Sequence, residues 1–455
     1  MNPGNEMAQE KVSRLMVRFS VPCIMSLLVS SLYNIVDQIF IGRGIGYLGN
    51  GATNVVFPIT VIALAIALMI GDGCAAHMSL CLGRGKKEEA EKSAGTAITL
   101  SIGIGVLMMV LFLAFMEPIL AIFGATENNI EYAREYFRVI ALGIPAYVFT
   151  NAMNSMIRAD GSPKFAMVST LVGCIINCIL DPIAIFVLKW GMFGAALATI
   201  LGQVVTALLA AWYMTRCKSI KLHVKNLFTG FSSVKKYLPL GFSSFLTQIS
   251  IVITIGVMNN ALVYYGSLSE YGADIPLTVF GIVMKVFQIA IAFVIGIAAG
   301  SQPIVGFNYG AGHFDRVKEI YKKMMMAEIV IGIIAMVAFE VFPMQIISIF
   351  GSESALYNQF AVLAFRVYLS TILLCCVQKA TSVFLQSLGK TVMSFTLSLT
   401  RDIVVNIAVV LILPRYIGLI GTLLSAPIAD VVSFVMVVLM MRKVFQSLDK
   451  EQFAE

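Results

Sequence analysis

The sequence predicts an all-α polytopic membrane protein, with twelve transmembrane helices in two six-helix bundles related by a pseudo-two-fold axis. Three observations predict it. The 455 residues are 59% hydrophobic and 13% charged, with a mean hydropathy of +0.89, outside the range of soluble globular chains. Apolar windows of twenty or more residues recur along the chain, each able to cross a hydrocarbon core about 30 Å thick. The second half also repeats the first: LGRGKKEEA at 82–90 lines up with YGAGHFDRV at 309–317, matching Gly83 and Gly85 to Gly310 and Gly312.

In chain order the expected spans cover roughly 15–41, 52–81, 93–116, 131–157, 165–188 and 191–214 in the first half. Those of the second half cover 237–266, 275–306, 318–341, 355–386, 392–413 and 417–441. Several exceed twenty residues, which implies tilt, kinks at Pro22, Pro58 or Pro145, or projection past the lipid. The tenth is interrupted by Arg366 and Lys379. Met1–Lys11 is polar and the run after it is of full spanning length, so the N-terminus does not read as a cleavable signal.

Orientation follows from the connections. With the N-terminus inside, the inner segments hold 24 of the 32 Lys and Arg residues, counting Arg158, Lys390 and Arg401 among them. The outer segments hold little beyond Arg43, Arg134, Lys189 and Arg415. The positive-inside rule therefore places both termini in the cytoplasm, with the chain expected in a plasma (inner) membrane. The same rule accounts for the net charge of +7 without a nucleic-acid partner.

The internal match extends from Gly191 and Gly194 to Gly418 and Gly421, so each copy holds six helices. Six is even, so the copies enter from the same side, giving parallel repeats about an axis along the membrane normal. The expected division is an N-terminal lobe over 1–215, a basic cytoplasmic linker over 216–236 and a C-terminal lobe over 237–455. Paired six-helix halves around a cleft suit a monomeric alternating-access carrier.

Charged groups inside the apolar runs point to the site. Asp37, in SSLYNIVDQIFIG, has no basic neighbour, and Asp181 occupies a similar place in NCILDP. Such acids are costly in hydrocarbon and are retained for a use. Asp37 lies about 28 Å beyond Arg18 along its helix and Asp181 about 24 Å beyond Phe165, so both fall in the outer half of the first lobe. Tyr33 and Asn177 precede them by one turn on the same faces. Pro182 weakens the helical ladder and frees a carbonyl. Two carboxylates in a poorly hydrated cleft disfavour double ionisation. The pair can hold a proton, hold Na+ or attract a cationic substrate. It can also make these exclude one another, which antiport requires.

Other groups have less definite readings. Asp72 and His77 either line an inner vestibule or cap a kink. Lys285, Arg366, Lys379 and Asp430 suggest a second-lobe charged network, with Lys285 paired to Asp430. Cys23, Cys74, Cys81 and the other five cysteines read as core filling. Motifs for chemistry are missing: SLGKT at 387–391 lacks the first glycine of a phosphate-binding loop, and His77, His223 and His313 are too scattered for a metal or triad site. No cofactor is expected beyond H+ or Na+ as coupling ion.

SLYNIVDQIFIG in the first helix, IINCILDPIAIF in the fifth, GMFGAALAT in the sixth and the glycine-rich inner loops resemble MATE (multidrug and toxic compound extrusion) transporters, nearest the DinF/MepA-like branch. The likeness covers essentially the whole chain. It implies a V of two six-helix bundles and export of amphipathic, often cationic compounds driven by an H+ or Na+ gradient. By the same likeness, the first-lobe polar cluster comprises Tyr33, Asp37, Asn154, Asn177, Asp181 and Thr199, with Pro22 as the bending point of the first helix. Members with coupling acids in helices seven and ten are not matched here, where Asn259 and Asn260, then Arg366 and Lys379, stand instead. That difference favours H+ over Na+, with any Na+ held at Asp37 and Asp181.

The expected function is therefore a cation-coupled multidrug efflux antiporter. A lipid-linked oligosaccharide flippase would call for a basic central cavity and further helices. A membrane-embedded enzyme would call for clustered His, Asp or Cys at one membrane face.

Overall fold

The computed structural model describes residues 7–123, 125, 129–228, 231–272, 274–350 and 354–454, and among these all regular structure is helical. Eleven helices are long and apolar enough to span a membrane, and a pair bent by 46° makes a twelfth if counted as one span. The first half holds α1 (Val12–Gly44), α2 (Tyr47–Gly83), α3 (Lys87–Ala114), α4 (Ile130–Ala159), α5 (Pro163–Pro182) and α6 (Gly191–Met214). The second holds α7 (Phe231–Ser267), α8 (Asp274–Gly310), α9 (Phe314–Val341), the broken α10 (Ala355–Tyr368 and Ile372–Ser387), α11 and α12 (Ser425–Ala454). Within α11, a π-wound segment, Thr400–Val405, joins Thr391–Leu399 to Asn406–Ile412.

Several helices outrun their apolar stretches. α7 begins six residues before the expected 237, and α12 runs past 441 to Ala454. Lys, Gln and Glu at such ends are strong helix formers, so hydropathy marks the lipid crossing and not the helix terminus. The tenth span, expected as one helix over 355–386, is broken between Tyr368 and Ile372. Residues 229 and 230 of the expected linker lie outside the described residues.

The halves interlock at their beginnings. Val12, Leu15 and Phe19 of α1 are buried in a cluster with Ile304, Ile320, Phe384 and Val444 of the second half. Reciprocally, Val234 and Tyr237 of α7 are buried with Ile70, Met78, Ala152 and Met156 of the first. Each bundle's leading helix thus starts in the other bundle's core, as the pseudo-two-fold relation requires.

Hydrogen bonds between the halves gather on the side of the termini. Ser20 donates to the Ile297 carbonyl at 3.3 Å, Asn308 to that of Met7 at 3.2 Å, and Ser244 to the Asp72 carboxylate at 2.9 Å. Backbones also meet there. A Cβ on Gly241 would collide with the Met69 carbonyl and one on Gly83 with that of Phe307, so only glycine allows the approach.

The segment between the bundles is fastened to the first of them. Asp160 accepts from Tyr213 Oη and from the backbone N–H groups of Lys218 and Ser219 at 2.7, 2.7 and 2.8 Å. Glu91 accepts from the Lys221 N–H at 2.8 Å, and Thr99 donates to the Leu227 carbonyl at 2.6 Å.

Candidate functional site

The first half brings five of the six expected polar residues together. Asp37 of α1 and Asp181 of α5 are 7% and 0% exposed, and their carboxyl groups stand within hydrogen-bonding range of each other. Asn177, one turn before Asp181, reaches Thr199 Oγ1 of α6 at 3.1 Å and Asp181 Oδ1 at 3.5 Å. Tyr33 Oη meets the same threonine hydroxyl at 3.3 Å, and that hydroxyl contacts the Ala195 carbonyl at 3.1 Å. Tyr136 of α4 also reaches Thr199, a contact that sequence spacing could not reveal because Tyr136 belongs to no repeated motif.

The cluster is short of donors. Asp37 Oδ1, Asp181 Oδ2 and Asn177 Oδ1 are buried with no hydrogen-bond partner. Buried acceptors without donors are costly, and two facing carboxyls need a shared proton or a cation between them. Backbone geometry contributes too. Pro182 has no N–H to return to the Cys178 carbonyl, and the helix rewinds as a π turn over Ile183–Val187 directly after Asp181.

Asn154 lies elsewhere. It bonds Thr170 Oγ1 at 3.3 Å and Ser169 Oγ at 3.5 Å, about 10 Å inward of Asn177 by helical rise, because Thr170 sits two turns earlier on α5. Pro22 lies within an unbroken α1, where Ser26 donates to its carbonyl at 2.9 Å.

The second half has a different polar centre. Lys379 Nζ is 2.6 Å from Asp402 Oδ2, and Arg401 reaches Asp402 Oδ1 at 2.7 Å and Asp430 Oδ1 at 2.9 Å. Thr371, at the break of α10, donates to Asp430 Oδ2 at 2.7 Å. Two cations and two anions balance. The expected Lys285–Asp430 pair does not form: Lys285 is exposed, and Asp430 faces Arg401 across α11 and α12. Arg401, expected among the inner loop cations, is 8% exposed inside the bundle, since the π-wound segment turns it and Asp402 together toward Asp430. Arg366 instead donates to the Glu340 carbonyl at 3.1 Å.

Lys379, Arg401, Asp402 and Asp430 border a cavity of about 180 Å³ in the second half, which also meets Ser244 and Gln302 and reaches Asp72 of the first. Asp72 lines it and joins the bundles, accepting from Ser155 at 2.6 Å on its own side and from Ser244 across the gap. Glu328 of α9, buried with neither carboxylate oxygen bonded, is a further intramembrane acid. Its position inside MMMAEIVIG is the signal that finds it.

The sequence model of the MatE family matches this chain over residues 22–183 and 239–412, one stretch in each half. The chain belongs to the MATE family. Curated relatives include the multidrug export protein MepA of Staphylococcus aureus (strain MRSA252), 24% identical over 420 residues covering 92% of this chain and 91% of MepA. Among solved structures, an outward-facing conformation of a multidrug resistance MATE family transporter aligns with a TM-score of 0.90 at 25% identity, covering 98% of this chain and 99% of that one. A MATE structure in the bent conformation gives 0.90 at 25% identity over 99% of both. The MATE fold foreseen from the α1 and α5 motifs is thus found, and this MATE protein is a multi-span membrane transporter of the multidrug-export family.

Proposed function

We propose that this MATE protein exports amphipathic, often cationic compounds in exchange for inward H+, by alternating access across a plasma membrane, as a monomer with both termini cytoplasmic. The observation that carries the reading is the donor-poor Asp37–Asp181 pair, with Asn177, Tyr33 and Thr199 around it. A proton from outside supplies the missing donor, and its loss restores a charge that the buried pair tolerates only with a cation nearby. Proton and cationic substrate then compete for one charge deficit, which couples their movements. The two carboxyls stand within hydrogen-bonding range, an arrangement that one proton satisfies, and this ranks H+ ahead of Na+ at the same residues. A membrane potential adds about 2.3 kcal/mol per charge per 100 mV to inward positive charge.

The test is gradient-driven ethidium efflux measured in everted vesicles, with Na+ present and absent. The expected result is Na+-independent transport that Asp37→Asn reduces at least tenfold. Full transport by Asp37→Asn would overturn the coupling site while leaving the family intact.

A further inference from the structure

On the terminus side of the first half, away from the acids above, α2 and α3 bring a histidine, a cysteine and a glutamate to one point. His77 and Cys81 are one turn apart on the same face of α2, and Cys81 Sγ lies 3.7 Å from each imidazole nitrogen. Glu89 of α3 places Oε1 3.9 Å from His77 Nε2. The ligand atoms of all three residues lie within 4.8 Å of one another.

We infer that His77, Cys81 and Glu89 form a binding site for a thiophilic divalent cation of the zinc class. Tetrahedral zinc, with Zn–S about 2.3 Å and Zn–N about 2.0–2.1 Å, sets N···S at about 3.6 Å and N···O at about 3.4 Å, near the separations of 3.7 and 3.9 Å here, and rotation of the side chains has to bring the sulfur round to the Nε2 lone pair and closer to Glu89. Ser93 Oγ stands 3.2 Å from His77 Nδ1, where it can accept the N–H of the tautomer whose Nε2 is free for a metal, the outer-shell support typical of metal-bound histidines. Thiolate and carboxylate together neutralise a divalent ion, the thiol proton passing to solvent. Water completes the fourth position through the side on which Glu89 is 30% exposed.

A cation already sits against this group. Lys236 Nζ is 2.6 Å from Glu89 Oε1, and Lys236 belongs to α7, the leading helix of the other half. Metal and ammonium compete for the same oxygen, so metal binding removes one contact between the halves. Sequence spacing missed the site because Glu89 lies beyond a turn, on the next helix.

The test uses full-length protein in detergent with a purification tag free of histidine. Cd2+ titration reads thiolate-to-metal charge transfer, and Zn2+ affinity is read against a chromophoric chelator. One equivalent of Cd2+ should give a saturable band that Cys81→Ser removes. His77→Ala and the partly exposed Glu89→Gln should each weaken Zn2+ binding at least tenfold, whereas Lys236→Met should tighten it several-fold. A band that survives Cys81→Ser, no saturable binding, or a Zn2+ affinity unmoved by both Glu89→Gln and Lys236→Met would overturn the inference.

Discussion

Asp402 accepts from Lys379 and Arg401 at once while its neighbours shield it from solvent. Removing one partner of a buried pair leaves an uncompensated charge, usually at a cost on the order of 3–5 kcal/mol. Lys379→Met should therefore lower the thermal midpoint of the detergent-solubilised protein by several degrees. Lys379→Met with Asp402→Asn should recover most of the loss, and a double variant no better than the single one would refute the pairing. The same rule made Asp37 and Asp181 readable in the sequence, each being an acid alone in an apolar run. Asp402 was not singled out, because it stands beside Arg401, which the positive-inside count assigns to an inner segment, and only the π turn shows that both face inward.

At the level of elements, number and order of spans were legible because lipid thickness fixes the length of an apolar run. Helix ends, the break at Thr371 and the π turns were not, since these depend on contacts between distant helices. The π turn after Asp181 has a local cause in Pro182, whose missing N–H opens the ladder. Pro182→Ala restores that N–H and should let the segment rewind as α-helix, shifting Asp181 relative to Asp37. The expected outcome is a protein that folds and binds substrate but transports at least several-fold more slowly, measured as vesicle efflux beside equilibrium dye binding. Unchanged efflux would show that the turn has no part in the cycle.

At the scale of the whole molecule, the bundles are held together on one side by backbone contacts at glycines and a few polar links, of which Asp72–Ser244 is central. On the proposed cycle this seal has to open, and weakening it shifts the population toward the other state. Ser244→Ala with Asp72→Asn should shorten the distance between spin labels at Lys189 and Tyr416, outer positions on opposite halves, in a cysteine-free background. A distance distribution identical to that of the parent would remove Asp72 from the seal.

The reciprocal insertion of α1 and α7 bears on where such a movement bends. Residues up to Leu227 are stitched to the first bundle, and Val234 and Tyr237 are rooted in its core. Through Leu227 the connecting strap is thus ballast carried by one body. On the proposed cycle the bend is expected inside the membrane-crossing rods, near Pro239 on α7 and, by the pseudo-symmetry, near Pro22 on α1. Both prolines delete a rung of the ladder within the stretch where each rod still packs on the other bundle, so on that cycle each rod would serve as its own axle.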